Sequence, residues 1–329
     1  MKKILMFFVF TCIISNVLLS QDTIRRYYDK EWKKTSNKSA AIYYRKAFKS
    51  INKMWVVNDY FISNKIQMTG TFKTKKMKVR KGDFIYYYEN GNKKSEGKCI
   101  SNKSHGNWQY YYDNGKLKSE GKFILGSKSG NWKYYFDDGK PKSEGNYLGG
   151  IREGKWQFYH KNGEKKSEGI FVNDKYEGIW NYYHENGKKK SKGKYLANNS
   201  EQIWEHWHEN GERKAKGNYI NNNRNGLWSF WSENGKLKDE ETFENGILSY
   251  ATTYYEDEKV RYEGRYYNGK AHGEFVYSNI EGIVTLRGKY NFGNRDGEWI
   301  RSFNEGEMKI QYDNGSVVGK SLGGIIKTE

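Results

Sequence analysis

The chain has 329 residues, and its 58 Lys and Arg against 39 Asp and Glu give a formal net charge of +19. Aromatics make up 17%, glycine supplies 36 residues and proline only one, a balance that suits strands and tight turns. Two cysteines exclude a disulfide framework, and the basic excess points to anionic partners or to the solubility of a long exposed sheet.

Residues 1–20 read as a secretory leader. Lys2 and Lys3 precede an apolar run from Ile4, and Leu18-Leu19-Ser20 precede the cleavage point at Gln21. The run is short for a spanning helix, which needs roughly 20 residues. Export to the periplasm, the outer envelope or the medium is therefore expected, with a retained anchor as the alternative. Cys12 lies inside the leader, which leaves Cys99, read as a small buried hydrophobe at the place later held by Phe123, Tyr147 and Phe171. Residues 21–54 are read as an N-terminal cap, and residues 55–81 as a degenerate first repeat with Ser63-Asn64 at its turn.

Regular repeats span residues 82–248. Glycine returns every 24 residues in three phases, shown by Gly82, Gly106 and Gly130, by Gly91, Gly115 and Gly139, and by Gly97, Gly121 and Gly145. In residues 106–124, two aromatic and β-branched runs flank Asn114-Gly115. Asn-Gly is a hairpin signal that predicts a two-residue type I′ turn. That register pairs Asp113 with Lys116, Tyr112 with Leu117, and Trp108 with Gly121. Trp108, Tyr110, Tyr112, Ser119 and Phe123 then share one face; Gln109, Tyr111, Lys118, Glu120 and Lys122 share the other. Pro141 stands at the Leu117 position, where its missing N–H predicts an open or bulged ladder toward the next hairpin. After Trp228 the phase slips by one residue; residues 249–320 hold irregular repeats and residues 321–329 a tail. About ten or eleven hairpins are expected. The fold class read from this pattern is all-β: an elongated single-layer antiparallel sheet of stacked β-hairpins, twisted or curved, on the order of 100 Å long.

Stacking turns each repeat position into a row. Tyr87, Tyr111, Tyr135, Tyr159, Tyr183, Trp207 and Trp231 form an aromatic row. Lys94, Lys118, Lys142, Lys166, Lys190, Lys214 and Lys238 form a basic row beside it in the predicted register. These two rows are the candidate binding surface, and an anionic glycan or lipid surface is the ligand they would attract. The bland reading is a solvated face with Lys stems lying on Tyr rings. A protein partner docking on the aromatic face or a sheet edge is the other reading, against which stands an aromatic face that simply covers itself.

Chemistry finds little purchase. His160, His184 and His208 occupy one row about 10 Å apart, too far to share a zinc ion. The Glu96, Glu120, Glu144 and Glu168 row repeats one environment, whereas acid–base pairs need two. The Ser95 to Ser191 row has no repeating histidine beside it. No catalytic, metal or cofactor residues are assigned. Nucleic acid is disfavoured as a partner by the export signal and by the lack of a recognisable binding fold.

The unit Gly-x-Trp-x-Tyr-Tyr-x-x-Asn-Gly-Lys-x-Lys-Ser-Glu-Gly, as in residues 106–121 and 154–169, resembles the MORN repeat in its bacterial variant form. The resemblance is strong over residues 82–248 and looser over 55–320. It implies stacked hairpins and a non-catalytic scaffold for protein–protein interaction, with lipid contact proposed for some members. Many bacterial members are labelled antitoxins of toxin–antitoxin systems, so neutralisation of a toxin partner is a further expectation. The resemblance supplies no catalytic residues.

Overall fold

The computed structural model describes residues 23–50, 52–304 and 306–323. The expected leader lies outside the described residues, as does the tail beyond residue 323. Strands form all the regular structure, and no helix occurs among the described residues. Two compact units meet in sequence between Gly115 and Lys116.

The first unit holds β1 (Ile24–Tyr28), β2 (Lys34–Thr35), β3 (Tyr43–Lys49), β4 (Trp55–Phe61), β5 (Ile66–Phe72), β6 (Arg80–Tyr87), β7 (Lys93–Ile100) and β8 (Lys103–Tyr111). β1 pairs with both β2 and β3, and from β3 onward each strand pairs antiparallel with the next. The second unit holds β9 (Leu117–Ile124), β10 (Ser127–Tyr135), β11 (Pro141–Leu148), β12 (Ile151–Tyr159), β13 (Lys165–Val172), β14 (Lys175–Tyr183), β15 (Lys189–Leu196), β16 (Asn199–Trp207) and β17 (Arg213–Ile220). It continues with β18 (Asn223–Trp231), β19 (Leu237–Glu244), β20 (Ile247–Tyr254), β21 (Val260–Tyr267), β22 (Lys270–Ser278), β23 (Val284–Asn291), β24 (Asn294–Phe303), β25 (Gly306–Asp313) and β26 (Ser316–Gly323). These strands also pair antiparallel in chain order, for example β9 with β10 and β25 with β26. Each unit is thus a single-layer meander of stacked hairpins, in agreement with the all-β expectation.

The turns correct the predicted register. At Asn162-Gly163 the loop has three residues, because the His160 N–H bonds the Glu164 carbonyl and the Gly163 N–H bonds the His160 carbonyl. Only the glycine takes positive φ, +100° at Gly163. This is a type I turn closed by a glycine bulge. Asn162 is there for its side chain: Oδ1 accepts the Glu164 N–H, and Nδ2 donates to the Glu185 carbonyl of the next turn. The two-residue type I′ turns lie instead between hairpins, as at Asn173-Asp174 (φ 50° and 62°) and Asn221-Asn222 (φ 48° and 67°).

The longer loop would push tryptophan off glycine, but a second bulge restores the register. Tyr159 faces Lys165 and Phe158 faces Ser167, so Lys166 is unpaired. Lys94, Lys142, Lys190, Lys214 and Lys238 are the extra residues in their hairpins. Beyond the bulge Trp156 faces Gly169 and Trp180 faces Gly193, as predicted. The chain opposite Pro141 is open in other hairpins too: the ladder from β13 to β14 starts at Ser167, two residues after Lys165. Proline therefore costs no ladder bond there.

A third irregularity sets the core. From β13 to β14 the pairing passes from Glu168–Asn181 to Ile170–Glu177, which leaves Gly178 and Ile179 as extra residues, with Gly178 at φ +66°. The turned-out Ile170 carbonyl accepts the Trp180 indole N–H at 3.1 Å. Trp108, Trp132, Trp156, Trp204, Trp228 and Trp299 make the same bond 10 residues back. The ring lies over the glycine of the preceding hairpin, not over its own paired glycine: a Cβ at Gly169 would overlap the Trp180 ring. Trp132, Trp180, Trp228 and Trp299 are fully buried. Phe171 meets Trp180 edge-on at 5.1 Å and Tyr182 lies alongside it at 6.1 Å, so the sheet covers its own indoles without a second layer.

The phase slip has the same origin. Between β19 and β20 the bulge carries one extra residue, Ser249, instead of two. Ala251 stands at the tryptophan position and Glu241 at the glycine position, facing each other. The Ser249 hydroxyl bonds the Thr242 carbonyl, which an indole caps elsewhere. Tryptophan, glycine and the bulge residue are lost together. In the first unit, where residues 21–54 were read as a cap, a buried Arg45–Asp59 pair at 2.6 and 2.7 Å joins β3 to β4.

Two substitutions test this account. Gly169→Ala drives a methyl into a buried ring and should cost about 1–3 kcal/mol, read as a lower urea midpoint with slowed recovery of β13–β14 amide protection. Gln202 holds the bulge-glycine position at φ +58°, a conformation that strains a side-chain-bearing residue by about 1–2 kcal/mol. Gln202→Gly should therefore raise stability by about 0.5–1 kcal/mol after the added chain entropy; an unchanged or lower midpoint would refute the strain.

Candidate interaction surface

Each unit presents a tryptophan face and a back face. On the tryptophan face, a basic row that sequence reading missed lies over the rings. Lys128 Nζ sits 4.5 Å from the Trp132 centroid, Arg224 Cζ 4.7 Å from Trp228 and Arg295 Cζ 4.5 Å from Trp299. Arg152 Cζ lies 3.9 Å from the Phe171 centroid. Burial lowers the Lys128 pKa. The signal for this row was its pairing with the Phe123-type position, as in Lys128 with Phe123 and Arg224 with Tyr219. The side chains that could have formed an aromatic docking patch are thus stacked on one another and capped by cations of the same chain.

The histidine row is also occupied. Nε2 of His160, His184 and His208 lies 2.9–3.0 Å from the carbonyls of Tyr183, Trp207 and Trp231. A carbonyl only accepts, so Nε2 carries the proton. No group of three metal-ligating side chains occurs among the described residues.

The bulge separates the two predicted binding rows. Because Lys166-type residues are extra, the parity of the strand changes there. Lys94 Nζ lies 5.5 Å from the Tyr88 ring and Lys142 Nζ 5.7 Å from the Phe136 ring, both in the row of Tyr112 on the tryptophan side. Lys214 acts on His206, and Lys238 pairs with Asp239 at 3.6 Å. Lys118, Lys166 and Lys190 hold the same repeat position. Tyr87, Tyr111, Tyr135, Tyr159, Tyr183, Trp207 and Trp231 belong to the back face. The predicted Lys–Tyr surface is therefore corrected: its two halves lie on opposite sides. The cations beside the tyrosine row come from the Leu117 position, with Lys165 over Tyr183, Lys189 over Trp207 and Arg213 over Trp231 at 5.8, 5.6 and 5.3 Å.

From Tyr111 on, each tyrosine of this row reaches a glutamate of the preceding hairpin. Tyr111 bonds Glu96 at 2.6 Å, Tyr135 bonds Glu120 at 2.9 Å, Tyr183 bonds Glu168 at 3.0 Å and Tyr254 bonds Glu240 at 2.8 Å. Lys165 completes the unit at Glu168, 3.1 Å away. Burial and the Glu120 hydrogen bond push the Tyr135 phenol up to about 12. At Glu168 burial opposes ionisation, but hydrogen bonds from Gln157, Lys165, Tyr183 and Lys155 outweigh it and hold the carboxyl at about 2. This is a tyrosine–glutamate ladder, joined by lysine at Glu96 and Glu168, with nothing in it asymmetric enough to divide acid and base roles.

The ladder changes in two consecutive hairpins. Lys192 and Lys216 stand where the others carry glutamate, and the ring that would have met that carboxylate is Trp207 or Trp231 in place of tyrosine. A tyrosine hydroxyl without its acceptor is replaced by a ring without a hydroxyl. Glu205 now lies between the two lysines in the ladder, 3.8 Å from Lys216 Nζ.

The geometry defines a β-hairpin repeat protein whose unit is a bulge glycine, a glycine-covering tryptophan and a tight turn. The sequence matches the MORN repeat variant family at residues 80–98, 104–124, 128–148, 152–173, 176–197, 203–221 and 224–245. The chain belongs to this family of MORN repeat proteins, and its hairpins continue beyond the matched segments through β26. A comparison with curated proteins returned no match.

The ladder predicts an acid response. Glu168 has its pKa lowered from 4.5 to about 2, so its contribution to stability is complete above about pH 4.5 and is lost as the pH falls toward 2. Glu168→Gln should flatten the fall in urea midpoint across that window, and Tyr183→Phe should move the fall to higher pH. Equal slopes in all three proteins would remove the ladder from the account of acid stability.

Proposed function

We propose that the chain is a non-catalytic repeat scaffold that is exported and holds a protein partner at the cell envelope. What carries the reading is the use of side chains. Rings, histidines and glutamates of the kinds that serve chemistry elsewhere are bonded to their repeat neighbours in the same way from hairpin to hairpin. What escapes this pattern is the back face around Lys192 and Lys216, where the tyrosine–glutamate ladder is broken. Membership of the MORN repeat family supports a scaffold for protein or membrane interaction. The leader read in residues 1–20 supports export.

Two measurements test it. A full chain made with its own leader should be recovered outside the cytoplasm with Gln21 as the new N-terminus. Cross-linking in the source cells should then retain a protein in fixed proportion to the chain. A chain that keeps its leader and stays in the cytoplasmic fraction would end the export reading. Repeated recovery of the bait alone would end the scaffold reading.

A further inference from the structure

The back face of β15–β18 departs from the repeat in a concerted way. We infer that it is the docking surface of the scaffold proposed above, and that its occupant is an acidic protein segment carrying an apolar anchor.

Charge is the first observation. On the back face from Lys189 to Trp231, Lys189, Lys192, Lys194, Arg213 and Lys216 face two carboxylates, Glu201 and Glu205. In the preceding hairpins the back-face cations Lys155, Lys165 and Lys175 are balanced by Glu144, Glu153, Glu168 and Glu177. Folding does not require the excess, because those hairpins build the same sheet without it. Lys216 and Arg213 share Glu205 at 3.8 and 3.9 Å and stay 42% and 48% exposed, so one carboxylate leaves one of the two charges unbalanced.

Shape is the second. A depression of about 500 Å³ opens here, lined by Ile179, Lys192, Lys194, Gln202, Ile203 and Glu205. Ile179, Ile203 and Leu227, one per successive hairpin, are 47%, 57% and 55% exposed. Aliphatic side chains between ammonium groups fit a segment that offers carboxylates around an apolar residue. A nucleic acid fits less well. Base stacking needs open ring faces, and those of Trp207 and Trp231 already carry Lys189 and Arg213.

The repeat itself supplies the test variant. Lys192→Glu, Glu205→Gln, Trp207→Tyr, Lys216→Glu and Trp231→Tyr together restore the pattern of the neighbouring hairpins. This five-fold variant should fold with an unchanged or higher urea midpoint. The probe is a labelled random copolymer of glutamate and tyrosine, titrated onto the purified full chain at physiological salt. Heparin, oligothymidylate and anionic phospholipid vesicles run in parallel. The five-fold variant should bind the copolymer at least tenfold more weakly. Lys192→Glu with Lys216→Glu alone, keeping both tryptophans, should also bind it more weakly. Lys142→Ser, Lys166→Ser and Lys190→Ser, on the tryptophan side, should stay within twofold of the parent.

Copolymer binding that is absent from the parent, or equal in the five-fold variant, overturns the inference. So does selective loss of heparin, oligonucleotide or vesicle binding with copolymer binding retained. Cross-linking in cells separates this from the scaffold reading, on which the inference rests. A partner held equally by parent and variant refutes this face and leaves the scaffold standing. A parent that holds no partner refutes the scaffold itself.

Discussion

An indole lying over a glycine is the contact on which the rest of the sheet depends. A single-layer sheet has no second layer to bury its side chains, and a flat one exposes both faces. Here each tryptophan occupies the hole left by a missing Cβ and caps the carbonyl that a two-residue bulge turns out of the ladder. The ring is then enclosed by the aromatic residues on either side and, at Trp132, Trp156, Trp228 and Trp299, roofed by a cation. The bulge needs a residue at positive φ, which accounts for one glycine series; the ring needs empty space, which accounts for another. At β19–β20, Ala251, Glu241 and the shortened bulge show that the three features stand or fall together. Phe84 and Phe275 cover their glycines without an indole N–H, so the ring over the hole is the more general half of the contact.

Electrostatics on the other face follow a similar logic of mutual requirement. At Glu96 and Glu168 a tyrosine hydroxyl and a lysine both lie beside the glutamate, so these repeats add charge with little field. Like charges repeat two strands apart, about 9–10 Å, near the Debye length at which they interact weakly. The exchange of glutamate for lysine at residues 192 and 216 breaks this balance, and the coincident exchange of tyrosine for tryptophan shows that the ladder constrains its members. The departure is coordinated, which distinguishes it from scattered drift on a surface.

The sequence made the hairpins, the pairing of tryptophan with glycine and the lone irregularity after Trp228 legible, because each rests on a strict period or a strong local rule. It misled at Asn-Gly. That dipeptide is compatible with two turn types, and the choice here is made by a side-chain amide reaching the next turn, a contact that exists only after stacking. From that one residue of loop length came the misplaced lysine row, since a bulge at Lys166 and its equivalents reverses which face a side chain meets. The cations over the rings were hidden for another reason. Their position holds Lys128 and Arg152 but also Tyr176 and Ser200, so the row has no compositional signature, and it emerges only when the strands are registered. The Arg45–Asp59 pair lies outside the repeat altogether, and its partners, 14 residues apart, meet only through the β3–β4 pairing.

A repeated surface that is satisfied by its own side chains has little affinity to offer, since every contact with a partner must replace one already made. Specificity in such a molecule has to come from repeats that differ. The tryptophan face differs at β19–β20, where Asp239 accepts from Thr253 and Arg224 lies 3.7 Å from Glu241, so the polar groups exposed by the missing indole are largely paired within the sheet. The back face differs at β15–β18, where cations outnumber carboxylates and the bulges carry exposed Ile203 and Leu227. Only the second change leaves charge and apolar area unspent. A scaffold of equivalent hairpins thereby acquires an address without altering its architecture, by changing residues that the fold reads as a set.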